Sequence, residues 1–144
     1  MPSSRADASC LPTRFTSSSG PGIPNSHTGF EVRDGELFGF AGLWERWRDP
    51  TGNWVKSCTI LTTTPNAVTA AVHDRMPVIV HPDSYDLWLD PGFTDVAAAS
   101  EMLRPYDAAG MRCYPVSARV SNVANDDAEC SAPVEAAQKQ ARLF

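Results

Sequence analysis

The stretch "SCTILTTTPNAVTAAVHDRMPVIV" (57–80) decides how this chain is read. Residues 57–64 form a β-rich run of Thr, Ile and Leu. Pro65 then stands where a short helix would start, with Val68, Ala71 and Val72 at helical spacing. "MPVIV" (76–80) returns to strand. His73 falls between the helix and the strand. By spacing alone it is a helix-end residue whose ring bonds the last carbonyls. An active-site role has to come from its neighbours.

Upstream, "ELFGFAGLWERW" (36–47) reads as a buried strand. Asp34-Gly35 marks a turn before it and Asp49-Pro50-Thr51-Gly52 a turn after it, so that 36–64 forms a hairpin pair. Downstream, "HPDSYDLWLD" (81–90) predicts a helix capped near Pro82 and Asp83 and stopped at Pro91-Gly92. "TDVAAASEMLRPY" (94–106) predicts a second, with Thr94 as N-cap and Pro105 ending it. "MRCYPVSARV" (111–120) is the last strand, and 135–144 a charged tail that frays as a short helix. Short strands that need not be parallel, interspersed with helices, make the class α+β.

Composition narrows the function. A chain of 144 residues suits one domain, and 42% hydrophobic residues with four Trp make it globular. The formal net charge of -5 provides no global basic field, so contact with nucleic acid has to rest on a local patch. The four cysteines, at 10, 58, 113 and 130, show no C-x-x-C spacing and the histidines no paired motif, which argues against a metal. Without a basic-then-apolar leader, free thiols in a reducing cytosol are the simpler reading. No apolar run approaches the roughly 18 residues of a membrane span. The expectation is a soluble cytoplasmic monomer with no cofactor and no membrane contact. Cys58, Cys113 and Cys130 read as small apolar core residues, and His27 and His81 as exposed loop residues. The four Trp offer stacking surfaces for bases, with Trp44 and Trp88 assigned to the core or a cleft wall. Residues 1–28, rich in Ser, Pro, Gly and Thr, read as a disordered arm.

Three segments together resemble the SRAP family, the SOS response-associated peptidases that process abasic sites in DNA: "FGFAGLWERW", the 57–80 stretch, and "YPVSARVSNVANDDAECSAPV". The resemblance covers about 30–134. It implies the C-terminal part of an SRAP domain over 29–134: a mixed, barrel-like β-sheet with short peripheral helices and the N-terminal part missing. It also implies binding of single-stranded DNA containing abasic sites, a covalent DNA-protein crosslink made by a cysteine next to the initiator Met, and a self-cleaving peptidase activity. The partner so implied is nucleoid DNA. Carried over by position, His73 matches the family's catalytic histidine, which assists opening of the abasic sugar, and Arg75 the arginine that follows it. An imidazole suits that role because it titrates near neutrality, and an arginine can hold a phosphate bidentately. Thr62, at the end of the strand bordering the DNA cleft, is assigned to DNA binding. Ser117, Arg119 and Asn122 belong to the third segment, where structural support competes with DNA contact.

The family pattern is incomplete here. Residue 2 is Pro2 rather than cysteine, and no Phe-Tyr-Glu-Trp segment is present. Glu45 in "GLWERW" lies on a later strand and reads as structural, and Cys10 has no free amine. With permitted codons, a two-base shift of "DASCLPT" reads Cys-Leu-Val-Pro-Ala-Asp, and the same shift of "GIPNSHT" reads Asn-Pro-Lys-Gln-Pro-Tyr. The expectation is that residues about 6–28 are a frameshifted reading of the missing catalytic-Glu segment, and that this chain fails at the covalent step. The alternative is a non-catalytic fragment or binding remnant.

Overall fold

The computed structural model describes residues 5–6, 12–18 and 27–134, and the expected tail at 135–144 lies outside them. In chain order the elements are β1 (Arg5–Ala6), β2 (Arg14–Ser18), β3 (His27–Val32), β4 (Gly39–Phe40), β5 (Gly42–Arg48), β6 (Trp54–Ile60), β7 (Thr62–Thr63), β8 (Met76–Pro77), β9 (Ile79–Val80), α1 (Tyr85–Leu89), α2 (Val96–Met102) and β10 (Met111–Val116). The class is α+β, as expected. All pairings are antiparallel, in sheets of order β1-β5-β6 and β10-β3-β2 and in the pairs β4-β9 and β7-β8. The described residues form no closed barrel, which corrects the barrel-like expectation.

The pairing among the described strands turns on three single residues. Each of the three long strand runs expected from the sequence breaks once, at Ala41, Leu61 and Val78. These meet in a ring of backbone hydrogen bonds: Ala41 N–H donates to Val78 O (2.8 Å), Val78 N–H to Leu61 O (2.9 Å), and Leu61 N–H to Ala41 O (2.9 Å). Ala41 and Val78 are fully buried there. At this three-way joint every run changes neighbour, so β4 pairs with β9, β5 with β6, and β7 with β8. Backbone donors and acceptors stay satisfied although no strand continues through the joint.

Other expectations shift by smaller amounts. The turn at Asp49 forms as expected: its Oδ1 accepts from Thr51 and Asn53 N–H (2.9 and 2.8 Å), and Gly52 adopts φ 90°. The helix expected from Thr94 begins one residue later, because the Asp95 carboxylate takes the N–H groups of Ala97 and Ala98. The 81–90 helix shortens to α1, preceded by a 3-10 turn that His81 caps. The last strand stops at Val116, where Ser117 caps a 3-10 turn. His27 is not in a loop; it opens β3, with its Nε2 2.6 Å from Ser121 Oγ. The disordered-arm expectation does not hold for Arg14–Ser18, which pairs with β3 from His27 to Glu31. Most of the remaining 1–26 stretch, Cys10 included, lies outside the described residues.

Two clusters make the core. Phe30, Val32, Phe38, Phe40, Met76, Ile79 and Met111 form the first, and Phe15 stacks on Phe30 at 4.9 Å between ring centroids. Ala41, Val78, Val80 and Trp88 form the second. Trp44 is half-buried and Trp88 buried, in line with the sequence reading. The cysteines are not core residues: Cys58 and Cys113 are exposed and Cys130 half-buried. Cys58 stands across from Trp44 on a ribbon that leaves the core, and Cys113 is on β10, at the edge of its sheet.

The opposite face of the β10-β3-β2 sheet holds a charge ladder. Glu31, only 3% exposed, sits on the central strand opposite Arg14 on one side and Arg112 on the other. Arg112 Nη2 donates to Oε1 at 2.8 Å, and Arg14 Nε lies 3.5 Å from Oε2. The Arg112 hydrogen bond holds the Glu31 carboxyl below its usual 4.5, although burial pulls the other way. A carboxyl depressed in the folded state adds stability above its unfolded pKa and loses it as pH falls through the folded one. The melting temperature should therefore fall as pH drops below about 4.5. Glu31→Gln should flatten that acid limb and cost about 1–3 kcal/mol at neutral pH, measured by thermal denaturation across the pH range.

Candidate functional site

The 65–73 segment is a loop, not the helix expected after Pro65, and a single side chain explains the difference. Asn66 Oδ1 accepts from the N–H groups of Val68 and Thr69 (both 3.0 Å) and from Thr69 Oγ1 (3.2 Å). Such local acceptors compete with helix propagation. Asn66 Nδ2 donates to Tyr106 O (2.8 Å), tying the loop to the segment before β10. Val68 and Val72 pack on the first core cluster, Thr69 is buried, and His73 N–H donates to Thr69 O at 3.0 Å. Asn66 thereby sets where His73 stands. Asn66→Ala should lower stability by about 2 kcal/mol and weaken ligand binding in the His73 cleft beyond what the folded fraction accounts for. Calorimetric melting and a binding titration check the two effects separately.

The structure brings together all three residues assigned from the sequence. β7 pairs with β8 so that Thr62 faces Pro77 and Thr63 faces Met76, which carries Thr62 alongside the His73–Arg75 turn. Thr62, His73 and Arg75 line one cleft of about 370 Å³, with Phe15, Phe40, Ile60 and Met76 among its apolar walls. The His73 Nδ1 accepts the Arg75 backbone N–H (3.1 Å) and lies 2.8 Å from Asp74 Oδ1. These partners suit two protonation states. The neutral ring takes the Arg75 N–H at Nδ1 and carries its own proton on Nε2, whereas the protonated ring donates from Nδ1 to Asp74. Asp74 thus supports His73 more closely than Arg75, whose Nε is 4.0 Å away. Nε2 has no hydrogen-bond partner among the described residues.

Thr16, Ser17, Phe15 and Thr69 also line the cleft and were not assigned from the sequence. The aromatic of "RFTSS" was the signal, hidden in a stretch that reads as an arm. No thiol, primary amine or carboxylate belongs to the described lining residues. Glu45 lies on β5, away from this cleft, in a shallow depression with Trp44, Ser57 and Cys58. Ser117, Arg119 and Asn122 lie outside this cleft's lining and make local bonds: Ser117 Oγ takes the Arg119 N–H, Arg119 Nη2 bonds Asp127 Oδ2 at 2.6 Å, and Asn122 Oδ1 takes the Ala124 N–H. A larger cleft of about 510 Å³ contains Arg33 and Arg104, each of which is tied to a glutamate. No group of three His, Cys, Asp or Glu among the described residues could hold a metal, and no described helix is long and apolar enough to cross a membrane.

The profile of the SOS response associated peptidase family, SRAP, matches residues 23–123. The chain belongs to the SRAP family. Among its relatives, abasic site processing protein YoqW of Bacillus subtilis is 42% identical over 99 residues, covering 69% of this chain and 44% of that protein. Abasic site processing protein HMCES of Gallus gallus is 33% identical over 107 residues, covering 73% of this chain and 31% of that protein. This SRAP chain thus spans less than half the length of either relative. A solved protein from Bacteroides thetaiotaomicron superposes with a TM-score of 0.75 at 24% identity, over 85% of this chain and 54% of that one. One from Bordetella bronchiseptica gives 0.63 at 27% identity, over 74% and 53%. The fold is therefore shared with solved proteins over most of the chain.

Proposed function

We propose that this chain carries the DNA-recognition and acid–base part of abasic-site processing on single-stranded DNA, in the response to DNA damage. The observation that supports this most is the convergence of His73, Arg75 and Thr62 on one cleft in a chain of the SRAP family. Arg75 binds a phosphate beside the lesion, and Thr62 offers its hydroxyl to the strand. The apolar walls accept a sugar that carries no base. His73 moves the protons of sugar opening: one leaves the C1′ hydroxyl, one arrives at O4′, the C1′–O4′ bond breaks and the aldehyde forms. The covalent crosslink to that aldehyde, and any peptidase or lyase step, belong to the intact family activity.

The second reading is binding without covalent capture, favoured by the absence of a thiol, amine or carboxylate from the described cleft lining. Both readings are tested with a single-stranded oligonucleotide in which one uracil is converted to an abasic site by a uracil glycosylase. Binding at least 10-fold tighter than to the intact strand is the expected outcome. An adduct that survives denaturing electrophoresis supports the crosslinking reading, and abasic preference without an adduct supports the binding reading. No preference for the abasic strand overturns both.

A further inference from the structure

We infer that one face of the β5–β6 ribbon is a docking track for the single-stranded DNA that runs out of the cleft. The inference rests on the reading of the cleft given above and extends it to residues outside that site. Among the described residues, every arginine with a described side chain lies within 4.0 Å of a carboxylate oxygen, except Arg46 and Arg48. Lys56 likewise has no carboxylate partner among the described residues. In a chain of net charge -5, these three cations without a carboxylate partner among the described residues share a single patch.

Register explains why. Arg46 pairs with Lys56 and Arg48 with Trp54, so the four residues project from the same face of the ribbon. The guanidinium carbons of Arg46 and Arg48 lie 4.2 and 4.8 Å from the centroid of the Trp54 ring. Three cations at such spacing repel one another, and the ring offsets only part of that repulsion. A polyanion neutralises the rest. Trp54 is 53% exposed, and an exposed aromatic beside cations is the kind of surface on which bases stack.

The patch is also continuous with the cleft. Two-residue periodicity along β6 runs from Trp54 through Lys56 and Cys58 to Ile60, and Ile60 is a wall of the His73 cleft. The other face turns inward at its base, where Leu43 packs on the second core cluster. A strand as long as β6 spans about 23 Å at its usual rise, matching about seven stacked nucleotides at 3.4 Å each. The cations flank an exposed aromatic and run in line with the cleft, which favours a single strand over a protein partner: phosphates take the cations while a base stacks on Trp54.

The test compares 5-nucleotide and 15-nucleotide single strands, each with one central abasic site, by fluorescence anisotropy over a salt series. The variant Arg46→Gln/Arg48→Gln/Lys56→Gln should bind the short strand like the wild type and the long strand about 10- to 100-fold more weakly. Its salt slope on the long strand should fall by about 2, given about 0.7 per contact on single strands. Trp54→Ala should weaken the long strand about 10-fold with little change in slope. Arg46→Lys/Arg48→Lys keeps the charge and should keep the slope, which guards against a merely misfolded triple variant. If the triple variant retains wild-type length dependence and slope, the track is overturned while the cleft reading stands. If the wild type binds long strands through these residues yet ignores the abasic site, the track stands and the cleft reading falls. If the wild type binds neither strand, both fall.

Discussion

Phe30→Ala is expected to destabilise the chain by about 3–5 kcal/mol, a large part of the 5–15 kcal/mol that typically separates folded from unfolded. Phe30 is 1% exposed on the central strand β3 and stacks on Phe15. Phe15 in turn meets Phe38 and Phe40 edge-on, at 6.3 and 5.7 Å. Truncation removes the shared ring and leaves a cavity bounded by strands that cannot collapse without losing register. The effect should reach function as well, because Phe30 and Phe15 both form the floor of the His73 cleft. Urea unfolding followed by tryptophan fluorescence measures the loss. A change below about 1 kcal/mol would mean that this cluster does not organise the sheet.

His73→Ala is expected to act in the opposite way, with little effect on stability and a large one on chemistry. The side chain is 43% exposed, so its removal leaves the core untouched. Under the acid–base role proposed for it, His73 should account for about 10²- to 10⁴-fold in rate. The readout is the rate at which an aminooxy probe captures the aldehyde of bound abasic DNA. His73→Gln should fail as badly as alanine, since it cannot exchange protons. Asp74→Asn should cost less, because the Arg75 N–H still orients the ring. Capture at wild-type rate by His73→Ala, with DNA binding retained, would remove His73 from the chemistry.

The legible and illegible parts of the chain divide along physical lines. Strand runs, the Asp49 and Asp34 turns, and the pairing of 36–47 with 57–64 all follow from local pattern. Thr62, His73 and Arg75 stand out only through the family resemblance; their convergence on one cleft follows because β7 and β8 lie close in sequence and need only a short antiparallel pairing. The breaks at Ala41, Leu61 and Val78 are invisible locally, since an apolar residue inside a strand run says nothing about a change of neighbour. Asn66 overrode a plausible helix through its own hydrogen bonds, a contest that periodicity does not register. Phe15 was lost because its companions are small and polar, and the partner that buries it lies on β3. The cysteines were assigned by residue type, whereas exposure follows from which strand is at an edge.

The ring formed by Ala41, Leu61 and Val78 has a consequence for how such a chain can vary. Side chains alternate with a period of two, so deleting or inserting one residue at the joint would turn over every position beyond it. Arg46 and Arg48 would change faces with Glu45 and Trp47, or Thr62 would leave the cleft. The same length change in the exposed 49–53 turn would leave both arms of the ribbon facing as before. Tolerance to insertions should therefore be concentrated at the outer tip of the ribbon and vanish at its root.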